Sequence, residues 1–306
     1  MISQEFCNDY FMKPTFIESV GNIYPIKVKD YEEFKLLANR YLVNDLKNIY
    51  NLQRINFDLK KKERKIPRNE KLKLQEYDSL FDYIVTVAKE LNEMIGIIKN
   101  RLDLYESFSD EEIEYCIELK PELKEEIESY KNGNIILPKN EVYTLLEMVL
   151  HEEVFLIDGV FKIGLDGDYE LNRDNFELFR EQVMKSNLLY KPLIGHNLIS
   201  NQVIEKALLS RSKKQKESAL ESIFATVSIK RNLTDEQILD YTWYRLMYDY
   251  SIISREHFNQ LLFMGKCLGA SVDIPELSEK VDLYNNPYDG LLQKHEVNNS
   301  FDRALK

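Results

Sequence analysis

Val154-Phe155-Leu156-Ile157-Asp158-Gly159-Val160-Phe161-Lys162-Ile163 is the stretch that decides the fold. Two runs of β-branched and aromatic residues flank an Asp-Gly pair, and that pair suits a two-residue turn with both central residues at positive φ. The reading is a β-hairpin over about 153–164. After Gly167, Tyr169 to Asn172 can add a third strand, and Asp174 is placed to cap a helix whose Phe176, Phe179, Val183 and Met184 face inward.

Away from the hairpin, helical spacing dominates. Upstream, Asn22 to Val28 reads as a strand feeding a helix from Tyr31 to Leu42, with Asp30 as its cap and Phe34, Leu37 and Tyr41 on one face. Between Glu76 and Leu104, Leu80, Tyr83, Ile84, Val87, Leu91, Met94, Ile95 and Ile98 keep to one stripe, predicted to be buried. Lys131-Asn132-Gly133-Asn134 signals a turn before the apolar Ile135 to Leu137, and Asn140 precedes a helix from Glu141 to Leu150.

Beyond Pro192 only helical patterns remain. A long element from about Asn201 to Ser228 carries a basic, polar middle at Arg211 to Lys216, where a break is expected. Thr234 and Gln237 form a capping-box pair, and Leu239, Trp243, Leu246 and Tyr250 follow on one helix face. Ser254 then opens a further helix with Phe258, Leu261, Leu262 and Met264 inside, and the Asn- and Pro-containing tail after Ser271 reads as irregular. The expected class is therefore α+β and mainly helical. The expected partition is 1–190 as an α+β domain with a charged helical insertion at about 58–130, 191–271 as a helical domain, and 272–306 as an irregular tail.

Charge is unevenly spread. From Asp58 to Lys73, eight cations (Lys60, Lys61, Lys62, Arg64, Lys65, Arg68, Lys71 and Lys73) face three carboxylates. From Asp110 to Glu128, nine acidic residues face Lys120 and Lys124, with Ser109 and Glu112 as a capping box at the start. The two segments can compensate each other, or the basic run can meet an acidic partner. The net charge of -11 repels polyphosphates, which argues against nucleic acid as a partner. Cys7, Cys116 and Cys267 are odd in number and share no metal or disulfide spacing, and no apolar run reaches a membrane-spanning length. A cytoplasmic protein with no cofactor is the expectation.

No catalytic constellation assembles from these residues. His151, His196, His257 and His295 are far apart. His151-Glu152-Glu153 opens like a zinc-protease helix, but its fifth position is Phe155 rather than a histidine, and Leu156 follows as the chain runs into the hairpin. Asp166, Asp168, Glu170, Asn172 and Glu177 match oxygen positions of a calcium loop, yet Leu171 stands where the sharp bend requires glycine. These carboxylates read as turn punctuation. Trp243, Tyr244 and Tyr248 beside Arg245 have the chemistry of a base-stacking platform, but their helical spacing favours packing between helices.

Three stretches carry a family likeness: Ile23 to Phe34, Leu171 to Asn187, and Ala225 to Lys230 with Leu239 to Leu246. Together the chain resembles proteins of the tail-assembly gene clusters of bacteriophages that infect Gram-positive hosts. The resemblance implies a non-enzymatic assembly factor of the tail assembly chaperone kind, binding tape-measure or tail-tube subunits. An apolar groove on the C-terminal helices would then hold the partner, with Trp243, Tyr244, Tyr248, Phe258 and Phe263 as anchors. The competing expectations are a structural component of the particle and an inhibitor of a host protein.

Overall fold

The structure is a computed structural model that describes residues 8, 10–67, 69–109, 111–113, 115, 139–214, 220–276, 281 and 283. It is mainly helical, with two small antiparallel sheets. Its contacts group the chain into two compact units. One takes 1–17, 22–78 and 177–306, and the other takes 18–21 and 79–176. This grouping is not the partition at 190/191, because the N-terminal segment packs with the C-terminal helices rather than with the hairpin that follows it in sequence.

In the hairpin unit, Ser79 caps α3 (Leu80–Ser107) by accepting from the Asp82 N–H. For continuity, α1 is Tyr31–Tyr41 and α2 is Leu46–Lys62, both in the other unit. Asn140 caps α4 (Glu141–Leu150), accepting from the Val142 and Tyr143 N–H groups, while its own amide donates to the Ala88 carbonyl at 2.9 Å and so ties α4 to α3. The expected hairpin is present as β3 (Val154–Ile157) and β4 (Val160–Ile163), and β5 (Tyr169–Leu171) pairs with β4. Asp158 and Gly159 both have positive φ, as the turn requires. Val154, Phe161, Ile163 and Leu171 form the inner sheet face, and Phe81 meets Phe161 edge-on at 5.9 Å.

The stripe on α3 is only partly covered. Leu80 and Ile84 are buried, Tyr83, Val87, Leu91, Ile95 and Ile98 are half-buried, and Met94 is exposed. The capping oxygen before the next helix also differs from expectation. Asn172, not Asp174, accepts from the Asp174 and Asn175 N–H groups, because it lies two and three residues before them, where an Asx side chain folds back over the turn. The Ser109–Glu112 capping box is formed. The turn at 131–134, the run 135–137 and most of the acidic segment lie outside the described residues.

In the other unit, β1 (Thr15–Ile17) and β2 (Gly21–Ile23) make a two-stranded sheet. The expected strand 22–28 is therefore short. Beyond Pro25 the chain instead makes an isolated bridge, Lys27 against Thr242, with Val28 N–H donating to Tyr241 at 2.8 Å and Trp243 N–H donating to Ile26 at 3.1 Å. A 3-10 turn at Val28–Asp30 leads straight into α1, and Asp30 makes no side-chain cap because it is already in helical conformation. Asp45 does cap α2, accepting from Asn48 N–H at 2.7 Å.

The remaining helices are α5 (Phe176–Ser186), α6 (Leu198–Lys214), α7 (Leu220–Arg231), α8 (Asp235–Leu239) and α9 (Trp243–Cys267). Phe176, Phe179, Val183 and Met184 are all buried. Arg180 donates to the carbonyls of Leu42 and Val43, which the end of α1 leaves without helical partners. The break expected at 211–216 falls partly outside the described residues. The Thr234–Gln237 capping box is complete, but α8 ends at Leu239 and Thr242 caps a new helix, so Leu239 does not share a face with Trp243. No helix begins at Ser254, since α9 runs through it. Val28, Ile223, Val227, Ile238, Tyr241, Leu246 and Ile253 form the core of this region.

Candidate protein-binding site

The two halves of α9 differ in kind. In its first half, every fourth or third residue is spent on internal contacts. Leu246, Asp249 and Ile253 are buried. Trp243 stacks on Tyr31, with ring centroids 3.9 Å apart and planes within 8°. Tyr244 and Tyr248 are half-buried and stack at 6.3 Å, and Tyr248 meets Tyr10 edge-on at 5.4 Å. The Arg245 guanidinium lies 4.0 Å from the centre of the Tyr241 ring. Asp249, only 1% exposed, accepts from Arg231 at 2.8 Å and from the Tyr10 hydroxyl at 3.0 Å, so its buried charge is compensated by two donors. Burial, then the neighbouring Asp249 carboxylate, raises the Tyr10 phenol above its ordinary value.

The second half carries apolar side chains that the described residues leave uncovered. Phe258, Leu261, Phe263, Met264 and Leu268 are each 48–89% exposed. The sequence places Phe258, Leu261, Leu262 and Met264 inside, and the structure corrects this for Phe258, Leu261 and Met264, which are exposed, while Leu262 is half-buried. Their spacing suits a buried face, but beyond Ile253 the only buried residue on the helix is Asn259. At 100° per residue, Phe263 and Met264 share one side with Glu256, Asn259 and Gln260, while Phe258, Leu261, Leu262 and Leu268 lie on the opposite side. A helix apolar on two sides is ordinarily enclosed by protein.

On the first of these sides there is a groove of about 710 Å³. Its floor is Glu256, Asn259, Gln260, Phe263 and Met264, and its second wall is Ile274 and Pro275 from the segment that returns after the helix. Gly269, at φ +94, reverses the chain there, and the Asn259 amide donates to the Pro275 carbonyl at 2.9 Å, holding the wall in place. Glu256 is the one charged residue among those lining it.

Of the five residues singled out from sequence, Phe258 and Phe263 thus sit on the exposed half of α9. Trp243, Tyr244 and Tyr248 sit on the half that packs internally. The returning wall and Leu268 were not anticipated, since a short irregular segment after a helix carries no periodic signal. Among the described residues no group of three metal-binding side chains comes together, and no helix is long and apolar enough to cross a membrane. Comparison with protein-family models, with curated proteins and with solved structures returns no match.

Proposed function

We propose that this chain is a non-enzymatic assembly protein that holds an amphipathic helix of another protein against the second half of α9. The observation that carries the reading is the groove beside α9, floored by the exposed Phe263 and Met264 and walled by Ile274 and Pro275. A helix docks in such a groove through side chains at i, i+3, i+4 and i+7, and a space of this size takes two or three of them. The lining supports an apolar occupant, because only Glu256 is charged.

The family likeness of the sequence supports a phage tail subunit as the partner. In this reading the occupant belongs to a tape-measure or tail-tube subunit of a bacteriophage, held in the host cytoplasm before polymerisation. The test is recovery of the tagged full chain from infected cells, alongside analysis of finished particles. A tail subunit bound to the chain in lysate, with the chain itself missing from particles, is the expected result. The chain present in finished particles would make it a structural component, and capture of a host enzyme without tail subunits would make it an inhibitor.

A further inference from the structure

The small sheet of the hairpin unit is apolar on the wrong side as well as the right one. Its inner face holds Val154, Phe161, Ile163 and Leu171, all buried. Alternation then sends Phe155, Ile157, Val160, Lys162 and Glu170 to the outer face, and the register sets Phe155 beside Lys162 and Ile157 beside Val160. Lys162 and Glu170 pair with each other at 2.7 Å across the strands, as expected of a solvated face. Phe155 and Ile157 do not fit that pattern, being 42% and 53% exposed on a strand that forms the edge of the sheet. A one-sided antiparallel sheet needs only polar residues there, and edge strands are ordinarily protected by charge.

The surroundings of this face carry one sign of charge. Glu152 and Glu153 precede β3, Asp158 occupies its turn, and Asp166 and Asp168 lie in the connection to β5, all of them exposed. Lys162 is the single cation between residues 151 and 170, and it is committed to Glu170. Leu165, 83% exposed, stands in the same acidic connection. An apolar strip bordered by carboxylates excludes an acidic partner and favours one that brings Lys or Arg around an apolar centre.

We infer that the outer face of the β3–β4 hairpin is a second docking surface, and that its occupant is a segment of another protein with an apolar centre and basic flanks. Phe155 and Ile157 supply the contact area, and the carboxylates around them set the sign of the partner and speed its approach. The surface is independent of α9, so it stands or falls apart from the reading proposed above.

The test uses the full chain with two synthetic peptides of equal length, one alternating Leu with Lys and one alternating Leu with Glu. Titration by fluorescence anisotropy and hydrogen exchange of the complex give affinity and location. The Leu/Lys peptide should bind and protect amides between 154 and 171, more weakly at high salt, and the Leu/Glu peptide should not bind. Phe155→Thr and Ile157→Thr keep strand-compatible residues and should each weaken binding roughly tenfold. Glu152→Lys combined with Asp168→Lys should weaken it without touching the apolar strip, whereas Phe263→Ser should leave it unchanged. Protection that maps elsewhere, equal binding of both peptides, or affinity indifferent to Ile157→Thr would overturn the assignment. So would concentration-dependent self-association abolished by Ile157→Thr, which would make a second copy the occupant.

Discussion

The indole of Trp243 lies flat on the phenol ring of Tyr31, 3.9 Å away, and so joins the first turn of α9 to the first turn of α1. The Lys27–Thr242 bridge beside it fixes the same two segments through the backbone. Trp243→Ala should therefore destabilise the protein by about 2–3 kcal/mol, somewhat less than the loss of a fully enclosed aromatic ring. Chemical denaturation followed by circular dichroism measures this. Trp243 is the only tryptophan, so its fluorescence in the parent protein should report unfolding of this junction.

Asn187, fully buried, accepts from the Ile26 N–H at 2.9 Å and donates to the Val183 carbonyl at 2.9 Å. Replacing it by Ala strands a buried backbone N–H, at a cost of about 1–3 kcal/mol. Asn187→Asp should cost more than Asn187→Ala, because the carboxylate loses the donor to Val183 and is buried with its charge. The order of the two denaturation midpoints checks this.

Acid should act through Asp45 and Asp82. Burial opposes ionisation of Asp45, but hydrogen bonds from Lys191 and the Asn48 N–H outweigh it and hold the carboxyl below its ordinary value. Asp82 is likewise held low against its burial, by Arg173 and Ser79. A carboxyl whose folded value is depressed contributes stability above its unfolded value, near pH 4, and loses it as pH falls through the folded one. Asp45→Ala should cost about 1 kcal/mol at neutral pH, as a lost helix cap, and should flatten the fall in stability below pH 4. Denaturant midpoints across the acid range distinguish this from a uniform loss.

Alkali acts in the opposite sense on Tyr31. Its buried phenol, with Glu32 nearby, is pushed far above the ordinary tyrosine value. The proton is bound more tightly in the folded state, so the associated stability is complete below pH 10 and disappears as pH rises through the folded value. Tyr31→Phe should reduce that alkaline loss, as read from unfolding at pH 9 and above.

Local chemistry made several elements legible. Asp158-Gly159 between two β-rich runs permits few structures other than a hairpin, and Asn140, Thr234 and Gln237 satisfy helix termini through neighbours three residues away or fewer. What could not be read depends on distant partners. Asn187 meets Ile26 across 161 positions, and Arg231 meets Asp249 on another helix. Nothing in the spacing of Phe258 and Leu261 tells whether a neighbouring element covers them, which is why side chains expected inside lie exposed. Ser254 was equally ambiguous, since a serine that can cap a helix can also sit within one.

The most direct test of the central claim is binding of a purified tail-tube or tape-measure subunit to the parent chain and to Phe263→Ser and Met264→Ser, the two apolar side chains on the groove floor, with thermal unfolding of each variant measured alongside. Both side chains are more than half exposed, so the substitutions should change stability by no more than about 0.5 kcal/mol while binding falls at least roughly tenfold. Binding that persists in both variants with the fold intact would contradict the account.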